Sequence, residues 1–187
     1  GANKLLLPIG SRKLGSIALS TALESRLSKV VVVTSAGNSS EWVEQEFLQK
    51  PKINKIIDVR CKGSIYGQAN SIKCGLKKAV ENQADAVIII LADQPYITQE
   101  MINELISHYI ENSMIMEYVA ACHQGIMMPP ILISRKLFPM MFKLKGDEGA
   151  RKLIRGNLAI KGSLIEYLNP KYFFDIDTLG DYQQLEP

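Results

Sequence analysis

At 187 residues, with 47% hydrophobic and 22% charged content, the chain has the size and composition of one globular domain with a single core, which excludes a disordered or low-complexity polymer. Its net charge is +3, with lysine and arginine spread along the chain; that excludes a nucleic-acid-binding stripe and a polybasic membrane patch but suits a small anionic ligand. The three cysteines, Cys61, Cys74 and Cys122, form no CxxC pair, and His108 and His123 have no metal-binding spacing, so reduced thiols are expected, with neither a disulfide framework nor a zinc site. The longest apolar run, Ala86 to Ala92, is far shorter than the roughly 20 residues of a membrane span, and no signal-peptide pattern opens the chain, so a cytoplasmic location is expected.

Ile17, Leu19, Ala22, Leu23 and Leu27 recur at mostly helical spacing, and the β-branched run Val30 to Thr34 that follows suits a buried strand. Ser39 and Ser40 precede an acidic turn and the apolar Trp42, Val43 and Phe47, which predicts a helix there, before a strand over Lys55 to Arg60. Ile72, Leu76 and Val80 mark an amphipathic helix leading into a strand over Val87 to Leu91. Thr98 is placed to cap the next helix, whose buried face is Met101, Ile102, Leu105, Ile106 and Tyr109. This alternation predicts an α/β fold, a three-layer sandwich with a mostly parallel, Rossmann-like sheet, in one domain spanning 1–187. Beyond residue 116, MEYVAACH and ILI read as strands, KLFPMMF is broken by Pro139, GDEGARKLIRG reads as helix and SLIEYL as a late strand.

The segment AVIIILADQPYIT ends an apolar strand abruptly at Asp93, and Pro95 forbids further ladder pairing. Ligands of open α/β sheets settle beyond the carboxyl ends of the strands, which is where Asp93 falls. In FFDIDTLGDY, alternation along an extended segment points Asp175 and Asp177 to one side and Ile176 to the other, so one of the two acids could face Asp93. Two such carboxylates suit Mg²⁺, a hard cation that takes one or two protein carboxylates and completes its shell with water and phosphate oxygens. The same residues also fit a turn start at Asp93 and a helix cap at Asp175 or Asp177. In CKGSIYGQANSIKCGL a loop enters a helix through Gly67, Gln68, Asn70 and Ser71, where backbone amides favour anions; an ordinary capped helix start fits equally.

In this order the pieces resemble the nucleotidyltransferases of molybdenum cofactor biosynthesis, especially the cytidylyltransferases and their relatives in purine catabolism and xanthine dehydrogenase maturation. The resemblance covers nearly the whole chain and rests on GANKLLLPIG, LADQPYIT, GDEGARKLI and DIDTLGDY. It implies a nucleotide-diphospho-sugar transferase-like fold and transfer of a nucleoside monophosphate, with CTP the expected donor, to a molybdopterin-type cofactor, serving a molybdenum hydroxylase. It further implies Asp93 and Asp177 as ligands of Mg²⁺, Lys4 as a positive charge near the triphosphate, and Gly67 and Ser71 near the base or ribose. Gln94, Pro95, Asp147 and Arg151 fall to the acceptor side. The family pattern also has a glycine-rich loop and a first strand ahead of the residue matching Lys4; the expectation is that a piece carrying them precedes Gly1. Where the family shows glycine-asparagine-proline, GIMMPPILI makes one wall more apolar through Met127, Met128, Pro129 and Pro130. A sugar- or alditol-phosphate nucleotidyltransferase and a non-catalytic accessory factor that delivers the cofactor are the alternative readings.

Overall fold

In the computed structural model, which describes residues 3–36 and 40–185, the chain begins with a 3-10 turn over Lys4–Leu6, capped by the Asn3 side chain. A short antiparallel ribbon follows, β1 (Pro8–Ile9) with β2 (Arg12–Lys13), and leads into α1 (Leu14–Glu24) and β3 (Val30–Ser35). β4 (Ile56–Cys61) pairs parallel to β3 and passes through a 3-10 turn into α2 (Gln68–Glu81) and β5 (Ala86–Ile89). Then come α3 (Gln99–Asn112), whose Met101 amide is accepted by Thr98 as expected, and the strands β6 (Tyr118–His123) and β7 (Ile126–Ser134). The chain continues through α4 (Phe138–Met141), α5 (Ala150–Arg155), β8 (Gly162–Glu166) and α6 (Leu179–Gln183). Pro139 sits in the first turn of α4, where its missing N–H breaks no helical hydrogen bond.

The fold is mixed α/β, but the expected single, mostly parallel sheet is not what the strands form. Among the described residues there are three sheets: the β1–β2 ribbon, the parallel pair β3–β4, and a four-stranded sheet in the order β5-β7-β6-β8. In the last, β7 runs antiparallel to both β5 and β6, and only β6 with β8 is parallel. The reason is local. Gln124 and Gly125, at φ +50° and +72°, turn β6 straight into β7, and a tight hairpin can only make an antiparallel pair.

Helices cover both faces of the four-stranded sheet. Alternate residues Val87, Ile89, Ala120, Ile131 and Ile133 face a core shared with Leu76 of α2, Met141 of α4 and Ile154 of α5. The residues between them, Ile88, Val119 and Leu132, pack against Leu105 and Ile106 of α3. On α2, Leu76 is buried whereas Val80 lies exposed at the helix end. A separate cluster joins Leu19 and Leu23 of α1 to Val32, Trp42 and Phe47. Trp42 and Phe47 are thus core residues, but the helix expected around them is replaced by 3-10 turns at Gln45–Leu48 and Lys52–Lys55; Pro51 limits any helix starting near Ser40, and Ser39 lies outside the described residues.

Between the two larger sheets runs an apolar groove of about 490 Å³, lined on one side by Val30 to Val33 and on the other by Ala86 to Ala92. β3 pairs only with β4 and β5 only with β7, so one edge of each has no strand partner among the described residues.

The cysteine expectation is also corrected. Cys61, at the end of β4, and Cys74, on α2, form a disulfide with Cα atoms 6.0 Å apart. The turn over Lys62–Tyr66 folds the helix back alongside the strand it leaves, a juxtaposition that a spacing of 13 residues does not reveal. Cys122 alone is a free, buried thiol. No helix of the described residues is long and apolar enough to cross a membrane.

Candidate active site

Asp93 stands on the loop between β5 and α3, its side chain about one-fifth exposed. The second acidic segment reaches it through the main chain: the Ile176 N–H donates to the Asp93 carbonyl at 3.1 Å. Ile176 itself is fully buried, which turns the flanking Asp175 and Asp177 the other way, as their alternation predicts. Neither acid caps the last helix. Thr178 does, accepting the Asp181 amide while Asp181 accepts the Thr178 amide in a capping box.

Lys4 joins the two segments. Its Nζ donates to Asp93 Oδ2 at 2.6 Å and to Asp177 Oδ1 at 2.8 Å. Asp93 and Asp177, 89 and 173 positions along the chain from Lys4, therefore share its one ammonium group. Burial works against the Lys4 charge, but the hydrogen bonds to Asp177 and Asp93 and the charges of both outweigh it, so its pKa lies above the ordinary lysine value. Asp175 is held differently. Loss of solvent around its carboxyl raises its pKa, a hydrogen bond from Gln94 opposes that, and the charges of Asp93 and Asp177 add to the rise. Gln94 is buried to 2% exposure, and because a carboxylate only accepts, its amide nitrogen faces Asp175 while Oε1 finds no partner.

Beside this cluster lies a cavity of about 680 Å³, and Asp175 and Gln94 belong to its wall. Ile72, Ile89, Leu91, Met128, Pro129 and Ile131 make one side apolar, whereas the other carries charges of both signs, Lys145, Arg151 and Lys152 with Asp147 and Glu148. Met128 and Pro129 thus do form a wall, while Met127 and Pro130 turn into the core. Asp147 and Arg151 both line the cavity, but the ion pair at that end of the molecule is Lys152 with Glu148 at 2.9 Å; the Arg151 guanidinium donates to the Met127 carbonyl at 3.5 Å. Pro95 is buried behind Gln94 and is not part of the lining.

Gly67 and Ser71 stand apart from the lysine bridge. Gly67 caps α2 at φ +109° and packs so closely on Gly146 that a Cβ would come within 2.3 Å of its carbonyl oxygen. The amides that begin α2 are already engaged: Ala69 donates to Gly146 at 2.9 Å and Asn70 to Gly67 at 3.1 Å. Ser71 lines the apolar groove, which shares Gln68, Ile72, Ile89 and Leu91 with the polar cavity. Gln68, named in the sequence at the entry to α2, does line the cavity, whereas sequence reasoning missed Lys145 and Lys152. Single basic residues in a loop or on a helix carry no signal of their own, and only the approach of the Gly67 and Gly146 turns brings them beside α2.

Among the described residues no three His, Cys, Asp or Glu side chains converge as a caged metal site. Two carboxylates sharing one cation are nonetheless the donor set Mg²⁺ takes when water and phosphate complete its octahedron, and the Lys4 ammonium stands where positive charge is called for.

The chain matches the model of the MobA-like NTP transferase domain over residues 1–162. It is 34% identical over 186 residues to the purine catabolism protein PucB of Bacillus subtilis (strain 168), covering 99% of this chain and 88% of that protein. The fold is similar to the crystal structure of Rv0371c from Mycobacterium tuberculosis H37Rv, with a TM-score of 0.77 at 20% identity over 98% of this chain and 89% of the other. The manganese complex of Rv0371c aligns with a TM-score of 0.70 at 18% identity over 97% and 89%.

Proposed function

The chain belongs to the family of MobA-like NTP transferase domains, and from that membership we propose that it transfers a nucleoside monophosphate, with CTP as donor, to the terminal phosphate of a molybdopterin-type cofactor. A phosphate oxygen of the acceptor attacks the α-phosphorus, the bond to the β-phosphate oxygen breaks, pyrophosphate leaves, and a diphosphate-linked product remains. The acceptor is already an oxyanion, so alignment and charge neutralisation are the main demands on the protein. The observation that carries this reading is the convergence of Asp93 and Asp177 on one cation.

In this reading Asp93 and Asp177 hold Mg²⁺, a metal class consistent with the manganese named for the Rv0371c complex. When bound there, the ion supplies neutralisation of the phosphate oxygens and a fixed attacking geometry. Lys4 adds a point charge beside the triphosphate. Lys145 and Arg151 draw the anionic end of the acceptor into the cavity, and Asp147 and Gln94 shape its polar side, with Pro95 acting from behind Gln94. Gly67 at the start of α2 and Ser71 on the adjoining apolar groove would border the nucleotide. The apolar face made by Ile72, Ile89, Leu91, Met128 and Pro129 favours a flat ring system over a polyol, whose hydroxyls would lie there without partners.

The test is pyrophosphate release from CTP and from GTP in the presence of molybdopterin-type cofactor. Asp93→Ala is expected to keep the fold and lower the rate by about 10²-fold or more. Undiminished release in that variant would overturn the site assignment. Release with a phosphorylated sugar or alditol and none with the cofactor would move the acceptor to that class, and tight cofactor binding without turnover would favour the accessory role.

A further inference from the structure

We propose that Lys4 is a built-in substitute for the divalent cation: its ammonium closes the pair Asp93 and Asp177 when no metal is present and must leave that pair for a metal to enter. The inference rests on the metal-site reading above and adds an exclusion between lysine and metal. Lys4 Nζ contacts Asp93 Oδ2 and Asp177 Oδ1 at 2.6 and 2.8 Å, so one oxygen of each carboxylate is already committed to a cation. Asp93 and Asp177 would hold a magnesium ion through these carboxylates, and the ion would supply there the positive charge that the ammonium supplies. The ammonium cannot keep its place there, because two like charges would be in contact within a shell meant for one.

The local structure lets the side chain go without disturbing the backbone. The Lys4 carbonyl accepts the Leu7 amide at 3.1 Å, Asn3 caps the turn, and Leu5 packs against the cluster around Trp42 and Leu19. The Lys4 side chain, by contrast, is about one-third exposed, so its four-carbon stem can change rotamer towards solvent or an incoming phosphate. Lys4 thus does two jobs in sequence. Without metal it offsets the repulsion between Asp93 and Asp177, and once displaced it is a free cation beside the place where the triphosphate binds.

Exclusion predicts a result opposite to that of a lysine that merely organises the site. Mn²⁺ binding is measured by the loss of the free-ion paramagnetic resonance signal, without nucleotide, for the wild-type chain, Lys4→Met, Lys4→Arg, and Lys4→Met combined with Asp93→Asn. Lys4→Met is expected to bind Mn²⁺ at least about tenfold more tightly than wild type, with Lys4→Arg staying close to wild type because it keeps the internal cation. Equal or weaker binding by Lys4→Met, with a thermal unfolding curve that shows it folded, would overturn the proposal. The double variant separates the two ideas. If Asp93→Asn removes the binding seen in Lys4→Met, the metal site stands whatever the lysine does; if it changes nothing, the metal-site reading itself is what fails.

Discussion

Cys122 is a free thiol that behaves as an unreactive one. Burial, and then a hydrogen bond to Glu166 and the charge of that carboxylate, push its pKa up from 9.0 to about 11. Folded protein is therefore expected to take up no alkylating reagent at pH 8, with Cys122 becoming labelled only as the pH nears its raised value. Unfolding at pH 8 without reductant should expose one thiol, and with reductant all three cysteines of the chain. Mass spectrometry of the alkylated protein reads each number directly, and labelling of three thiols without reductant would contradict the Cys61–Cys74 bond. At this scale the sequence was informative where a residue ends a strand or alternates across it, which is how Asp93, Asp175 and Asp177 stand out. It was silent on contacts made by folding back: Cys61 meets Cys74 only after a strand reverses into a helix, and the Gln94 hydrogen bond to Asp175 needs two loops to meet.

At the scale of elements, the turn that starts α2 is the least tolerant piece of backbone near the site. Gly67 combines φ +109° with near contact against the Gly146 carbonyl, so Gly67→Ala must both strain the backbone and push two turns apart. The expected cost is about 2–3 kcal/mol in urea unfolding. Gly10→Ala provides the comparison, since Gly10 has φ +57° with nothing near its missing Cβ and should lose only about 1 kcal/mol. Equal losses at the two positions would show that the approach to Gly146 carries no weight. Helices were legible here from apolar spacing and caps, as with Thr98 ahead of α3. The helix expected near Ser40 failed because Trp42 and Phe47 bury as isolated anchors, Trp42 in a turn and Phe47 in the 3-10 turn Gln45–Leu48, which reproduce the apolar spacing of a helix without its length.

For the whole molecule, alternation of helices and β-branched runs made the α/β class legible, but local pattern says nothing about which strand edges meet. The inner edges of β3 and β5 illustrate this: both are apolar, both face the same groove, and neither has a strand partner among the described residues. Open apolar edges recruit further strands, so the 187-residue chain is expected to self-associate as its concentration rises, and Val31→Lys, on the β3 side of the groove, should suppress this in light scattering. Concentration-independent scattering by the unmodified chain would show the edges to be inert. The same groove bears on catalysis in mechanical terms. Lys4 rides with the α1 and β3 side of the seam, through Leu5 and the Trp42 cluster, whereas Asp93 extends from β5 on the opposite side. The lysine bridge is then one of several ties across the seam, beside the Thr21 hydroxyl on the Ile97 carbonyl and Arg26 on Asn103 and Ser107, and any widening of the seam would lengthen the reach between that ammonium and its aspartates.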